Sequence, residues 1–416
     1  MIPGILAYGD KIVNDGGVTT DRESLANPRL WLAFATMLLT SGIPNAFPVF
    51  FPALLEEFGG SRGATAATAS LFWLLAAFLG PLSGHWMSRF DPRRILSAGL
   101  LAVATGLALG TRVGSLPAFL LVVGGFGGIG LGLTGMVAHA PLISHDYSRR
   151  RGLATGIAFS GSMLAYTLSP GIQWAITSLG WRGAFGLYIV ALGALLPLIW
   201  WIHPRRLAAG QGPVTPLPQS GVGRLVASVQ FWSLLVVFAL PPLIGYLAIT
   251  QHALYFKAVG LSAAEASFLL GLGGLLAAGG RALAGWLADR IGGAPVGFLS
   301  FASTLLGLLF LLGTEAWPWR LLAYGYVLFM FLPMGSRATI VAVLVSRIAP
   351  AERYGLVFGL LAVGNGLGAA LGPWLSGFLY DMTGSYAAIY LAAVGFTLVA
   401  VLALLVFTLS ARRRAT

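Results

Sequence analysis

The sequence predicts an all-α integral membrane protein whose twelve transmembrane helices form two six-helix bundles, and three observations carry that expectation. Of 416 residues, 57% are hydrophobic and only 9% charged, against roughly 25% charged in a soluble domain. The apolar residues fall in long runs, and the two halves of the chain repeat one another. A spanning helix takes about 20 apolar residues, so twelve of them use nearly the whole apolar content. Hydrocarbon offers the backbone no outside hydrogen-bond partner, and the runs are too long for barrel strands, so each must be helical.

Residues 1–29 are polar and mixed in charge, without the basic start, apolar stretch and small-residue cleavage site of a signal peptide. They read as a cytoplasmic tail. The first bundle, 30–202, carries apolar runs at about 30–55, 65–88, 95–113, 117–143, 152–178 and 184–202. A cytoplasmic linker follows at 203–230, where the Pro- and Gly-dense stretch from Gly210 to Gly221 prevents a long regular helix. The second bundle, 231–410, has runs at about 231–256, 264–288, 295–313, 320–346, 355–380 and 386–410, before a short tail at 411–416. Many of the glycines lie inside spans, as at Gly124, Gly125, Gly127, Gly128, Gly130 and Gly132, where small residues let helix backbones approach closely. Trp31, Trp174, Trp181, Trp200, Trp201, Trp317 and Trp319 sit near span ends and read as interfacial belts.

The net charge of +12 is a topology signal. Its Lys and Arg residues are spaced between apolar runs instead of clustering on a polar domain, which excludes a nucleic-acid partner. With both ends cytoplasmic, eighteen of the 25 basic residues fall on that side and five (Arg62, Arg112, Arg182, Lys257 and Arg320) on the other. The positive-inside bias therefore places both termini in the cytoplasm, and a multi-pass protein of the cell (inner) membrane is expected. No cysteine is present, and the five histidines (His85, His139, His145, His203 and His252) lack metal-ligand spacing. No metal, no cofactor and no enzymatic activity are expected.

The repeat is explicit. Gly84-His-Trp-Met-Ser-Arg89 recurs as Gly285-Trp-Leu-Ala-Asp289-Arg290, 201 positions on, and Arg151-Gly-Leu-Ala-Thr-Gly156 recurs as Tyr354-Gly-Leu-Val-Phe-Gly359, 203 positions on. Parallel repeats of this kind place a site between the halves near the midplane and work by rocking. The Gly-x-x-x-Asp-Arg-x-Gly loop, complete from Gly285 to Gly292 and degenerate from Gly84 to Arg94, resembles the signature of the major facilitator superfamily. Within it the chain resembles the monocarboxylate transporters and the neighbouring oxalate/formate exchangers. The carriers are Phe47–Phe58, Ser88–Arg93, Arg150–Ser162, Gly180–Phe185 and Gly280-Arg281 with the Gly285 loop. The resemblance implies the major facilitator fold, and a conformational latch from Gly84, Arg89, Arg93, Gly285, Asp289 and Arg290. There are departures. Asn45 stands where mammalian relatives carry a lysine, Ala277 where they carry an aspartate, and Leu361 where the oxalate exchangers carry a lysine.

All thirteen acidic residues fall in tails, loops or helix ends, so an intramembrane carboxylate proton relay is not expected. Two arginines do sit at depth. Arg281 is eight residues before Asp289 and Arg337 ten before Arg347, or about 12 and 15 Å into the membrane at 1.5 Å per residue. Each costs at least about 2.5 kcal/mol there, so a missing anion is implied. A guanidinium stays charged in an apolar site and can clamp a carboxylate through two parallel bonds. The repeat puts Gly80 and Thr134 at the equivalent positions of the first half, so these charges belong to one half only.

The expected activity is secondary active transport of a small organic anion by alternating access. A monocarboxylate such as a short 2-hydroxy or 2-oxo acid is the expected substrate, coupled to a proton or a counter-anion, with Arg281 as ligand. A dicarboxylate or anion exchanger using Arg281 and Arg337 together is the rival within that class, and a non-transporting membrane sensor the rival outside it. Asn45, Tyr246 and Asn365 are further substrate-binding candidates. His139 and His252 are the groups of neutral-range titration available for proton coupling. The partners expected are the organic anion, its co-substrate and the lipid bilayer, with the protein a monomer.

Overall fold

A computed structural model describes residues 24–147, 150–203, 226–317, 319–346, 348 and 351–412. Most of the expected linker, most of the N-terminal tail and the last four residues lie outside the described residues. The described residues are almost wholly helical, without strands.

Among the described residues, ten helical stretches are long and apolar enough to span a membrane. Two features resolve them into twelve crossings. Pro28–Asn45 and Phe47–Phe58 are a bent pair, 41° apart, forming span 1. Gly152–Ile202, 51 residues, contains two spans. Gly180 splits it with φ 72°, a left-handed conformation that glycine adopts without a Cβ penalty. Its turn sends span 5 (Arg151–Leu164, continued through Ala165–Leu168 to 169–179) back as span 6 (181–202). Spans 2 and 3 are Arg62–Arg89 and Pro92–Gly110. Span 4 starts at Leu116, passes through a π-helical stretch at Leu120–Phe126, and breaks between Gly127–Thr134 and Met136–Asp146. Span 7 is Val229–Ile249 with His252–Ala258, span 8 Ala263–Ile291, and span 9 Gly293–Ala316. Span 10 breaks between Arg320–Phe331 and Arg337–Val345 at a short 3-10 turn, Met334–Ser336. Spans 11 and 12 are Ala351–Thr383 and Tyr386–Arg412.

Helix ends show why the segments start where they do. Ser61, Asp91, Ser228 and Ser262 each accept a hydrogen bond from a backbone N–H in the first turn of span 2, 3, 7 or 8. Ser262 and Glu265 complete a capping box, which satisfies two otherwise orphaned donors.

Both described chain ends lie on one face of the bundle, called here the terminal face. There Arg29 pairs with Asp146 at 2.9 Å, Arg29 Nε donates to the Ile202 carbonyl, and Arg93 Nε donates to that of His203. On the opposite face, Arg182 pairs with Glu57 at 2.6 Å. Trp181 differs from the belt expected of it. It is buried among Phe58, Phe119 and Phe185, because the turn at Gly180 carries it inward. Trp31, Trp174, Trp200, Trp201, Trp317 and Trp319 are exposed on the bundle surface.

The two halves meet between the midplane and the opposite face. Span 2 lies against span 11: Gly63 faces the Phe378 backbone, Ser70 Oγ accepts the Trp374 N–H at 3.0 Å, and Ala77 meets Gly366. Span 8 lies against span 5 where Gly271 faces Pro170 and Gly274 faces Met163 and Tyr166. Nearer the terminal face the halves part. Beside Gly152, Gly156, Gly285 and Gly359, on the faces of spans 5, 8 and 11 that meet the other half higher up, no heavy atom beyond the local helix backbone stands within 4 Å of where a side chain would begin. The space between the halves therefore opens toward the terminal face.

Candidate functional site

Two cavity-side spans are broken at matching places. Span 4 breaks at Gly135 and span 10 at Met334–Ser336, and the sequence repeat maps the first onto the second. Discontinuous helices at the midplane are where transporters of this architecture build sites, because freed backbone groups then face a cavity. In span 10, Pro333 starts the break. Gly335 lets the segment lie directly on span 8, with its α-carbon against the Ala277 carbonyl. Gly280 in turn meets the Leu332 carbonyl. Spans 8 and 10 thus touch backbone to backbone, with Arg281 beside the contact.

Arg281 Nε donates to the Gly335 carbonyl at 3.3 Å. Its two Nη groups have no partner among the described residues, and Arg281 is in none of the four ion pairs there. Residues seven apart share a helix face, so Arg281 lies on the same side of span 8 as Gly274, which touches span 5 of the other half. Helical side chains lean toward the helix N-terminus. That aims the guanidinium toward the level where the halves meet, at the inner end of the open space.

Buried polar side chains of the two halves also meet where the halves touch. Asn45, at the bend in span 1, donates through Nδ2 to the Ser162 carbonyl at 2.8 Å and accepts from the Tyr246 hydroxyl at 3.3 Å. The Tyr246 ring lies 5.2 Å from that of Trp73. Met334, next to Gly335, reaches the backbone at Gly245. Asn45 and Tyr246 are therefore brought together across the two halves, and the break in span 10 links them to Arg281.

Other residues singled out from sequence sit elsewhere. Arg337 is buried inside the second half: Nε donates to Ser300 Oγ at 2.7 Å, Nη2 to Thr304 Oγ1 and the Ser300 carbonyl, and the guanidinium stacks 4.7 Å from the Phe301 ring. Asn365 Nδ2 donates to the Phe238 carbonyl, joining spans 11 and 7 of the same half. His252 Nε2 bonds the Ala266 carbonyl at 2.8 Å within the second half, and His139 Nδ1 bonds the Gly135 carbonyl at the break in span 4. Of the latch residues, Arg290 stacks on Trp286 at 4.1 Å, Gly84 faces Val137, Arg89 is exposed, and Asp289 is in no ion pair among the described residues. None of these contacts joins one half to the other.

Sequence reasoning overlooked Ser300 and Thr304, although their four-residue spacing in span 9 puts two hydroxyls on one face. It also overlooked Trp73, and the Pro333-Met-Gly335 breaker inside an apolar run. No group of three or more His, Cys, Asp or Glu side chains suited to a metal occurs among the described residues.

Comparison with known proteins agrees with this architecture. The profile of the Major Facilitator Superfamily matches residues 30–344 and 332–416. Monocarboxylate transporter 13 of Bos taurus is 29% identical over 379 residues, covering 88% of this chain and 85% of its own. Monocarboxylate transporter 11 of Homo sapiens is 30% identical over 388 residues, covering 86% and 78%. Two solved structures share the fold. One is a bacterial homologue of the human lysosomal transporter Spinster in an inward-facing, unoccupied conformation, with TM-score 0.70, 17% identity, and coverage of 95% of this chain and 98% of that one. The other is a D-xylose-proton symporter, with TM-score 0.70, 16% identity, and coverage of 90% and 95%. The chain is therefore a multi-pass membrane transporter, not an enzyme, and belongs to the major facilitator superfamily within its monocarboxylate transporter-like group.

Proposed function

We propose that the protein is a secondary carrier of a small organic monoanion, a monocarboxylate of the short 2-hydroxy or 2-oxo type, and that Arg281 holds the carboxylate. The observation that carries this reading is a half-buried guanidinium deep in the bundle whose Nη groups have no partner, and which is in no ion pair, among the described residues. Leaving such a cation unpaired is costly, and a carboxylate offers the two parallel acceptors that its fork fits. Asn45 and Tyr246 supply the polar side chains against which a 2-oxygen substituent would lie. The terminal face is the cytoplasmic one, following the Lys/Arg bias, so the space described above opens inward. Transport proceeds by rocking of the two halves about the site.

The dicarboxylate rival needs Arg337 as a second ligand. Its Nε and Nη2 groups are instead engaged by Ser300 and Thr304, which favours a scaffolding role. Arg337→Gln is expected to lower the thermal midpoint of the purified protein while leaving KM for a monocarboxylate within about threefold, well below the cost of losing a charged ligand. A large rise in KM without loss of stability would favour the dianion site.

Uptake of a labelled carboxylate panel into proteoliposomes tests the function itself. Saturable uptake of short monocarboxylates, competed by their analogues but not by diacids, is the expected result. Acceleration by an inward proton gradient assigns proton coupling, and acceleration only by trapped unlabelled acid assigns exchange. Specific binding with no flux of any acid would move the protein to the sensor reading.

A further inference from the structure

The first turn of span 2 is docked into the other half of the molecule on the opposite face. Asp381, near the end of span 11, accepts the backbone N–H of Arg62 at 2.9 Å and that of Gly63 at 2.7 Å, one with each carboxylate oxygen. A carboxylate at a helix N-terminus also meets the positive end of the helix dipole. The Arg62 side chain continues the contact. Nη1 donates to Gln251 Oε1 at 2.5 Å and to the Tyr386 hydroxyl at 2.8 Å, and the guanidinium lies 3.4 Å from the Tyr380 ring centroid. Gln251, at the bend in span 7, is itself fixed by donating to the Ser376 carbonyl. Gly377 makes the approach possible, because its α-carbon sits directly on the Arg62–Gly63 peptide.

One arginine and one aspartate thus connect span 2 with spans 7, 11 and 12. The four ion pairs among the described residues each stay within one half. Asp381 is the acid there whose hydrogen bonds cross between halves. On the terminal face, by contrast, Gly84 meets Val137 and Arg290 stacks on Trp286, each within its own half. We propose that Arg62 and Asp381, with Gln251, Tyr380 and Tyr386, form the gate that closes the opposite face. Their bonds hold the present conformation, must break for the alternate one, and set the ratio between the two. This rests on the alternating-access reading above, not on the identity of the substrate.

The absence of cysteine permits a direct test. Spin labels on Ser115→Cys and Ala316→Cys, exposed positions just before span 4 and at the end of span 9 on the opposite face of the two halves, report the separation there by double electron–electron resonance without added substrate. The parent protein is expected to give mainly the short distance. Asp381→Asn keeps the shape but not the charge, and in combination with Arg62→Gln it should raise the ratio of open to closed molecules at least about tenfold, about 1.4 kcal/mol. Arg62→Lys, which keeps charge but loses the fork, should fall between. A distance distribution unchanged in the folded double variant overturns the gate. If Arg62→Gln fails to give monodisperse protein, an unshifted distribution for Asp381→Asn alone does so equally. Absence of carboxylate flux from the parent would refute the substrate assignment while leaving this readout intact, so the two failures are distinguishable.

Discussion

Replacing Arg281 with glutamine is expected to abolish saturable carboxylate uptake while leaving a folded, monodisperse protein. Glutamine can still donate one bond toward Gly335, so the packing of spans 8 and 10 survives. What is lost is the charge and the pair of Nη donors. Removing one partner of a buried, hydrogen-bonded charge pair costs about 2 to 5 kcal/mol, or roughly 30-fold or more in affinity. On the alternating-access proposal, flux at low substrate should fall at least as far. Arg281→Lys keeps a cation but not the planar fork and should recover only a small part of the uptake. Equal uptake by wild type and the glutamine variant, at matched protein per vesicle, would remove Arg281 from the binding machinery.

The second large effect is expected at Gly280. A Cβ there would overlap the carbonyl oxygen of Leu332, and that oxygen belongs to backbone, which cannot swing aside as a side chain can. Gly280→Ala must therefore separate spans 8 and 10, carrying the Gly335 carbonyl away from Arg281. Overpacking of this kind costs about 1 to 3 kcal/mol, so the thermal midpoint should drop and uptake should fall by more than the folded fraction does. Gly279→Ala is the internal control. The neighbouring position faces open space, and alanine is the better helix former by about 0.5 to 1 kcal/mol, so stability there should hold or rise. Equal behaviour of the two variants would contradict the close backbone contact.

Much of this architecture is legible in the sequence because hydrocarbon leaves a chain few choices. Apolar runs of spanning length can only be helices, and Arg281 stands out because a cation at that depth needs a reason. What stays hidden depends on contacts between distant segments. Arg337 has the same charge as Arg281 at a similar depth, yet Ser300 and Thr304 on span 9 engage it, and nothing local to residue 337 announces them. Asp381 reads as one more loop acid until span 2 is laid against span 11, when both its oxygens meet backbone N–H groups of the other half. The breaks in spans 4 and 10 are half-legible. Pro333 and Gly335 interrupt their run visibly, whereas Gly135 is lost among many glycines that merely pack.

The central claim is that Arg281 binds the carboxylate of a small monoanion, and equilibrium binding addresses it most directly. A labelled short 2-hydroxy monocarboxylate is titrated into purified wild-type protein and the Arg281→Gln variant, side by side in the same detergent. The account predicts saturable binding to wild type, displaced by other short monocarboxylates, and an affinity at least about 30-fold weaker in the variant. Saturable binding of the same strength to both proteins would contradict it.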